Sequence, residues 1–341
     1  MIGRREALRL GLGGGLGLAL QPRRALAAAQ DIPSWPTELR QLAPNVYAYT
    51  QATGPGVDNS SLSNAGVVAG PSDLLAIDAL GPPVHAKAFR TAAMKATGRP
   101  FGRVVNTHHH RDHTNGNCFF APAEIVAHEY CREATIAQGL PARPYDDRPQ
   151  WQEGMDELRL WPATTTFSGS LSYHYGDVEV RLIAVGPAHT WGDVIVHLPR
   201  ERILFAGDLA FVYVTPPAHN GRITSWIEAI DRVLDLDVDV IVPGHGPIGG
   251  KKELAETRAY LDLMAREVRR RYDARMRPGE AAADIDLGRF AGWTNPERNA
   301  WNAVRLYAEF DRTLTPATDL AAQAAAVAEY TKARRSRGLA P

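Results

Sequence analysis

The 341-residue sequence predicts an α/β fold in which two half-sheets pack together under helices and a helical extension follows. Three observations predict this class. Short apolar stretches of strand character are interspersed with amphipathic helical stretches over the first three quarters of the chain. Glycine- and proline-containing turns separate these stretches. From residue 251 onward, the apolar residues recur only at helical spacing.

The first half of the chain begins with a proline-containing lead, "DIPSWPTELRQLAPN", and continues with strands. We predict strands in "VYAYTQ" and "AGVVAGPSDLLAIDAL", because apolar residues alternate or run together around a Gly-Pro-Ser-Asp turn. A helix follows in "PPVHAKAFRTAAMKATGRP", opened by proline and closed by Gly98. "FGRVVNTH" predicts a short buried strand, and "AEIVAHEYCREATIAQG" predicts a strand that runs into a helix.

The second half begins with the strand-rich stretch "LSYHYGDVEVRLIAVGPAHTWGDVIVHLPRERILFAGDLAF". "SWIEAIDRVLDLDVDVIVPGHG" predicts a helix, a strand and a glycine-rich loop. Three helices are predicted in "KKELAETRAYLDLMAREVRRRYDARM", "NPERNAWNAVRLYAEFDRT" and "DLAAQAAAVAEYTKARRSRG". We therefore divide the chain into a catalytic domain at 30–255 and a helical extension at 256–341. The extension would be a lid or an interface through which an oligomer forms.

Composition excludes several classes of protein. The chain has 38 basic and 38 acidic residues, so its formal net charge is zero, and no basic patch points to nucleic acid. No apolar run reaches the roughly 18 residues that a membrane span needs, so we expect no stable span after signal removal. The two cysteines, Cys118 and Cys131, provide neither a disulfide framework nor zinc-finger spacing.

The N-terminus has the pattern of an export signal. Residues 1–29 combine a basic start, a Gly/Leu/Ala stretch and a small-residue end. The pair Arg4–Arg5 and the mildly apolar segment resemble a twin-arginine signal. We therefore expect a periplasmic or secreted protein, with cleavage after Ala27 or Ala29.

Histidines and aspartates are concentrated where the predicted strands end. In "VVNTHHHRDH", His108 and His110 are two residues apart, so an extended chain directs both imidazoles to the same side. His109 then points elsewhere and is not expected to be a ligand. Asp112 and His113 follow on a turn that leads towards a helix and are aimed at a second position.

Three further candidates follow apolar strands later in the chain. His189 lies in "GPAHTWGD", Asp208 in "LFAGDLAF" and His245 in "IVPGHGP". Loops at strand ends can vary while the strands hold them rigidly, so sites often lie there. Each fragment alone is a weak signal, because a lone histidine is usually a core residue. Their occurrence together in this order is far more specific.

The motif H-x-H-x-D-H from His108 to His113, followed by His189, Asp208 and His245, resembles the metallo-β-lactamase fold superfamily over roughly residues 40–255. The resemblance implies an αββα sandwich with a metal pair at one edge. It assigns His108, His110 and His189 to the first metal and Asp112, His113 and His245 to the second, and it makes Asp208 the bridge. Asp78 matches a carboxylate that braces the metal loop in many members; the alternative is a turn residue at the end of a strand.

Five imidazoles and two carboxylates suit two Zn²⁺ ions per chain, and they also suit iron or manganese. The resemblance implies hydrolysis of an acyl bond in a small-molecule substrate: an ester, lactone, thioester or β-lactam. A hydroxide that bridges the metals would be the nucleophile. Asp112 would be catalytic, because it can hold metal and also orient the hydroxide or relay a proton.

The resemblance leaves other branches open. An aspartate at position 208 is similar to the hydroxyacylglutathione hydrolase and lactonase branches, whereas class B β-lactamases commonly have Cys or Ser there. One alternative is an iron-dependent redox member of the persulfide dioxygenase type, which uses fewer ligands, chiefly two histidines and the aspartate. Another is an accessory metalloprotein of a periplasmic redox system.

Several residues beyond the metal ligands carry weaker expectations. Tyr213 and His219 follow Asp208 in a loop and either face substrate or pack as ordinary loop residues. Asp193 is a candidate to brace a metal-binding histidine by a hydrogen bond. Trp191 and Trp226 are expected in the core, and Cys118 is expected to be buried packing.

Overall fold

The structure is a computed structural model that describes residues 32–53, 62–140 and 151–338. The predicted export signal at 1–29 lies outside these described residues. Within them, no helix combines the length and the apolarity that crossing a bilayer requires.

In the described part of the chain, seven strands form the first sheet and follow each other in chain order. They are β1 (Glu38–Ala43), β2 (Val46–Thr50), β3 (Ala65–Ala69), β4 (Leu74–Ile77), β5 (Phe101–Val105), β6 (Glu124–His128) and β7 (Thr165–Phe167). Strands β1 to β4 pair antiparallel, whereas β4 to β7 pair parallel. The carboxyl ends of β4, β5 and β6 therefore lie at the same edge.

Five further strands of the described residues form the second sheet, in the order β12-β11-β10-β9-β8. They are β8 (Ser170–Tyr175), β9 (Val178–Ala184), β10 (Val194–Leu198), β11 (Ile203–Phe211) and β12 (Val240–His245). Neighbouring strands pair antiparallel except β11 and β12, which are parallel. The parallel pair again brings two carboxyl ends to one edge.

Helices cover both sheets and form the C-terminal part of the described chain. They are α1 (Pro83–Thr97), α2 (Arg111–Thr114), α3 (Glu129–Gln138), α4 (Ile223–Leu234), α5 (Lys251–Asp273), α6 (Pro278–Asp284), α7 (Arg298–Asp311) and α8 (Leu320–Ser336). Short 3₁₀ helices span Asn115–Phe120, Met155–Glu157 and Gly288–Gly292. Helix α5 crosses the boundary predicted between residues 255 and 256; the division into domain and extension stays a prediction.

The core consists of three apolar clusters, one at each interface between the four layers of helix, sheet, sheet and helix. Between the sheets, Ile77 and Val105 of the first sheet share a buried cluster with Phe205 of the second. A second cluster includes Phe89 of α1 and the face of the first sheet that α1 covers. A third includes Trp226 of α4 and the neighbouring helices on the second sheet. The predicted αββα sandwich with a C-terminal helical extension is confirmed.

The sequence analysis missed three elements. Strand β1 lies within the stretch predicted as a lead, because its alternating exposed residues leave no apolar run at this sheet edge. Strand β7 is only three residues long, which is too short for a periodicity signal. Helix α6 is short and rich in alanine, so it carries no amphipathic pattern.

Candidate metal centre

The parallel strand edges bring all seven predicted ligands into one cluster. His108 and His110 follow β5, Asp112 and His113 lie on α2, and His189 lies between β9 and β10. Asp208 lies inside β11 rather than after it, which corrects the expectation that it follows the strand. The strand continues past Gly207 to Phe211, with a shift in strand pairing at Gly207, whose backbone has a φ of 51°. His245 is the last residue of β12.

The first group of donors consists of His108, His110, His189 and Asp208, all buried. His110 presents Nδ1 to the other two imidazoles, at 3.0 Å from His108 Nε2 and 2.9 Å from His189 Nε2. Asp208 Oδ2 lies 3.0 Å from His189 Nε2. Three ring nitrogens that converge this closely repel one another unless protons or a cation lie among them, so the arrangement suits a metal ion.

The second group consists of Asp112, His113 and His245. His245 Nε2 lies 3.2 Å from Asp112 Oδ2 and 3.4 Å from Asp208 Oδ2. His113 Nε2 lies 3.1 Å from Asp208 Oδ1, yet both atoms are buried without a hydrogen bond of good geometry. These two atoms without hydrogen-bond partners fit a cation that accepts a lone pair from each of them. Asp208 therefore faces both groups, as a bridging carboxylate would.

Asp78 positions histidines of both donor groups through hydrogen bonds. Its carboxylate accepts hydrogen bonds from the Thr107 backbone N–H and hydroxyl, each at 2.8 Å, and lies 2.8 Å from His113 Nδ1. Thr107 Oγ1 in turn lies 3.1 Å from His108 Nδ1. A proton on each of these outer nitrogens leaves Nε2 of His108 and His113 as a lone pair directed at the centre. The geometry favours the bracing interpretation of Asp78 over a simple turn residue.

Burial and charge set the protonation of the cluster. Burial lowers the pKa of His108 and His110 well below the ordinary value, and neighbouring imidazoles lower it further. Burial also acts to lower the pKa of His245, but Asp208 and Asp112 raise it to about 9. Burial acts to raise the pKa of Asp208, yet the surrounding histidines hold it well below its usual range. The centre thus combines neutral imidazoles at His108 and His110 with a carboxylate that stays ionised at Asp208. A divalent cation would replace the proton on His245, and such a set of imidazoles and carboxylates is one that divalent cations prefer.

A cavity of about 1280 Å³ opens onto this centre. Its floor includes His110, Asp112, Asp208 and His245, and one wall comes from α3. The opposite wall comes from α7 and the connector between α7 and α8, which belong to the predicted extension. Lining residues from this wall are Arg298, Trp301, Thr315, Pro316, Ala317, Thr318 and Leu320.

The weaker expectations have mixed outcomes. His219 lines the cavity, and its ring stacks on His110 with centroids 4.6 Å apart. Tyr213 packs against the core of the second sheet. Trp226 is fully buried, as predicted, and Cys118 is half-buried.

The prediction that Asp193 hydrogen-bonds to a histidine is wrong. Its carboxylate accepts hydrogen bonds from the backbone N–H and the hydroxyl of Thr190, at 2.8 and 2.6 Å. It therefore closes the turn after His189. Position 193 is four residues from His189, and a local turn satisfies the carboxylate first.

The sequence analysis also missed residues that lie beside the centre. Asn220 Oδ1 lies 2.9 Å from His110 Nε2, and Arg298 and Trp301 line the cavity. Asn220 is followed by a glycine, so it was indistinguishable from a turn residue. No local pattern reveals a contact across 110 residues.

The fold and the centre together define a metal-binding αββα protein. Residues 60–245, more than half of the 341-residue chain, match the metallo-beta-lactamase superfamily. The chain belongs to the metallo-beta-lactamase superfamily. The matched range contains all seven predicted ligands and ends before α5. Their individual roles as ligands stay predictions.

Characterised relatives resemble part of the chain. It is 33% identical to the 2,4-dinitroanisole O-demethylase subunit alpha of Nocardioides sp. (strain JS1661) over 186 residues, covering 52% of this chain and 51% of that protein. It is 24% identical to the linear primary-alkylsulfatase of Pseudomonas sp. (strain ATCC 19151), covering 62% of this chain and 48% of that one. The chain thus spans about half the length of these relatives.

A solved structure supports the fold. The stereoselective inverting sec-alkylsulfatase Pisa1 from Pseudomonas sp. superposes with a TM-score of 0.61 at 17% identity. The superposition covers 80% of this chain and 50% of that one. At this identity, the likeness concerns the fold alone.

Proposed function

We propose that the protein is a metal-dependent hydrolase that uses two divalent ions, zinc before iron or manganese, to cleave an acyl bond of a small molecule. The observation that carries this proposal is the pair of adjacent donor groups that share Asp208. His108, His110 and His189 would hold one ion, and Asp112, His113 and His245 the other. When bound, such a pair polarises an acyl oxygen and activates water at neutral pH.

Asp112 and Asp208 would act differently, because their surroundings differ. The Asp208 side chain is 3% exposed and lies between the two groups, which suits a purely ligating role. The Asp112 side chain is 22% exposed and lines the cavity. A substrate can reach Asp112, so we assign to its carboxylate the transfer of a proton towards the leaving group.

The residues of the cavity wall suit a substrate that has a planar or apolar group beside the reacting bond. Trp301, Tyr130 and Leu320 line it together with small residues of α3. Acyl substrates such as aryl esters, lactones or thioesters would place the reacting carbonyl at the centre and the remainder against this wall.

A second candidate is hydrolysis of a sulfate ester or an aryl alkyl ether, again by the metal centre. The similarity to an alkylsulfatase and to an O-demethylase subunit favours it. Arg298 also places a guanidinium in the cavity wall, within electrostatic reach of Asp112 and Asp208. A positive charge there suits an anionic reacting or leaving group.

The two alternatives from the sequence fit less well. A redox member of the persulfide dioxygenase type would need chiefly two histidines and an aspartate, whereas seven donors converge here. An accessory protein with a structural metal would be expected to have a closed four-ligand site, whereas this centre opens onto a cavity.

Metal content and turnover test the proposal together. We expect about two zinc ions per chain in protein purified without added metal. We also expect turnover of one substrate from a panel: a chromogenic cephalosporin, a homoserine lactone, a thioester, an aryl phosphodiester, an alkyl sulfate and an aryl methyl ether. His110→Ala should abolish turnover, while His174→Ala, an exposed histidine on β8, should not. One iron per chain without hydrolysis would contradict the proposal and favour the redox branch.

We further propose that residues 1–29 direct export to the periplasm or the medium and are then removed. N-terminal sequencing of protein from a native-type host tests this. A mature chain that starts near residue 28 or 30 supports it, and an intact N-terminus in the cytoplasm contradicts it.

A further inference from the structure

The ring nitrogen of His110 that faces away from the other imidazoles forms a hydrogen bond with a residue far away in the sequence. Its Nδ1 faces the other imidazoles, and its Nε2 lies 2.9 Å from the side-chain oxygen of Asn220. An amide oxygen only accepts hydrogen bonds, so His110 Nε2 must carry the proton. Nδ1 is then left as a lone pair directed at the centre.

The orientation of the Asn220 amide follows from its other contacts. Its nitrogen lies 2.6 Å from Thr318 Oγ1 and 3.3 Å from the Pro316 carbonyl oxygen. Because a carbonyl cannot donate, the amide nitrogen belongs on this side and the oxygen on the His110 side. The Thr318 hydroxyl donates to the His219 carbonyl and is therefore an acceptor for Asn220. The connector between α7 and α8 thereby sets the tautomer of a predicted metal ligand.

Helix α7 holds the segment that carries Asn220. Residues 298, 302, 305 and 309 are spaced by four, three and four, so they lie on one face of α7. Their side chains bind successive backbone groups of residues 215–223: Arg298 to Thr215 O (3.0 Å), Asn302 to Pro216 O (2.8 Å) and Ala218 N (2.7 Å), Arg305 to Gly221 O (2.7 Å), and Glu309 to Ile223 N (2.6 Å). This row of contacts fixes the path of the segment on both sides of Asn220.

Arg305 links the segment that carries Asn220 to the connector that binds the Asn220 amide. Its guanidinium binds Gly221 O on one side, and Thr315 O and Ala317 O of the connector on the other, at 2.9 and 3.0 Å. Arg305 is 4% exposed, so these bonds are shielded from water. The segment and the connector are therefore held in one arrangement.

We propose that Asn220 is a positioning residue for His110 and that α7, with its connector to α8, makes the predicted extension a structural part of the metal centre. This inference rests on the proposed metal at His108, His110 and His189. Partners that orient a ligating histidine typically alter metal affinity by about 10- to 100-fold when removed. The same change is expected here.

Two substitutions at position 220 separate positioning of His110 from ordinary packing. Asn220→Asp keeps an oxygen that accepts from His110 and loses the donor to Thr318 and Pro316. Asn220→Ala loses both. We expect Asn220→Ala to weaken binding of the first metal by about 10- to 100-fold and Asn220→Asp to stay within about threefold of wild type. Titration of the metal-free protein with zinc, in competition with a chelating dye, measures both affinities.

A matched threonine pair tests the connector. Thr318→Val removes the hydroxyl that orients Asn220, and we expect a loss of affinity of about threefold. Thr97→Val removes a hydroxyl that bonds within α1, and it should leave the affinity unchanged. The cobalt absorption spectrum of each loaded variant should change for Asn220→Ala and Thr318→Val but not for Thr97→Val.

The outcomes distinguish this inference from the proposed function. A wild-type chain that binds no metal contradicts the proposed function and this inference with it. Wild-type affinity in Asn220→Ala, or equal losses in the Ala and Asp variants, contradicts this inference alone. Circular dichroism of the metal-free variants verifies folding. If Asn220→Ala does not fold, Asn220→Leu, which has a similar shape and no polar atoms, replaces it in the comparison with Asn220→Asp.

Discussion

The two sides of the cavity differ in how the fold holds them. On the strand side, the ligands follow β5 and lie in or at the end of β11 and β12, and Asp78 anchors them through buried hydrogen bonds. On the helical side, α7 and the connector reach the centre through side chains that bind backbone groups of another segment. The family match covers the strand side and ends at residue 245.

Apart from the contact through Asn220, this difference separates metal binding from substrate recognition. Donors on strand ends cannot move without disrupting a sheet, so the strand side suits a metal pair that needs fixed geometry. Side chains on the helical side line a cavity and can change without altering the sheets. We expect substitutions on the strand side to change metal content. On the helical side, we expect substitutions of cavity-lining residues outside the Asn220–Thr318 contact, such as Trp301, to change substrate affinity.

Asp208→Asn should have the largest effect, because Asp208 faces both donor groups. We expect kcat/KM to fall by about 1000-fold or more and the metal content to fall below one ion per chain. Elemental analysis and turnover of the active panel substrate measure this. Asp262→Asn, at a half-exposed aspartate on α5 that pairs with Arg266, is the control. Full metal content in Asp208→Asn would contradict the bridging role.

Asp78→Asn tests the anchor of the strand side. The two carboxylate oxygens of Asp78 accept on one side from the Thr107 backbone N–H and on the other from the Thr107 hydroxyl and His113. Asparagine has a single accepting oxygen, so at least one buried donor is left unsatisfied. We expect metal affinity to fall by about 10- to 100-fold and the free energy of unfolding to fall by about 2 kcal/mol. Zinc titration and urea denaturation measure the two changes. Unchanged affinity would show that Asp78 serves only the turn.

The metal-free protein should become less stable as pH rises. Burial acts to lower the pKa of His245, but Asp208 and Asp112 raise it to about 9, above its ordinary value of 6.5. The folded chain therefore binds a proton that the unfolded chain releases. This stabilisation is fully present below pH 6.5 and is lost as pH rises through about 9.

Urea denaturation of the metal-free protein at about pH 7.5 and pH 9.5 measures that loss, which we expect to be on the order of 2 kcal/mol. The lower pH lies above 6.5 because the lowered pKa values of His108 and His110 act with the opposite sign below it. Zinc competes with the proton for the same nitrogen, so the loaded protein should not show the fall. Metal-free His245→Asn should show a smaller fall than wild type. It should not lose the fall entirely, because burial acts to lower the pKa of His113 but the neighbouring aspartates raise it above its ordinary value. Equal or greater stability of the metal-free wild type at pH 9.5 would contradict the prediction.

Trp301→Ala tests the helical side and should have the smallest effect. Removing this side chain from the cavity wall takes away apolar contact area with the substrate, so we expect KM to rise by about tenfold. The metal content and kcat should stay near wild type. Trp301→Phe should recover most of the affinity. A loss of metal in Trp301→Ala would break the division between the two sides.

The local patterns of the sequence predict most elements correctly. Strands β2 to β5 have apolar alternation or apolar runs, and helices α1, α4, α5 and α7 have apolar residues at helical spacing over enough residues. The exposed edge strand β1 and the short elements β7 and α6 do not, and they were missed. Periodicity detects elements that bury one face completely. It fails where an element is very short, or where, as in β1, no residue is fully buried.

The sequence by itself determined the seven candidate ligands and the superfamily, because the donors lie in short motifs attached to recognisable strands. Only the tertiary structure decided which nitrogen of His110 faces the centre, that Asp193 closes a turn, and that Asn220 and α7 complete the site. The Asp193 turn is a local contact with Thr190, whereas the features at His110, Asn220 and α7 depend on contacts between segments about 80 to 110 residues apart. Such contacts leave no periodic or local signal, because they arise only when the folded backbone brings the segments together.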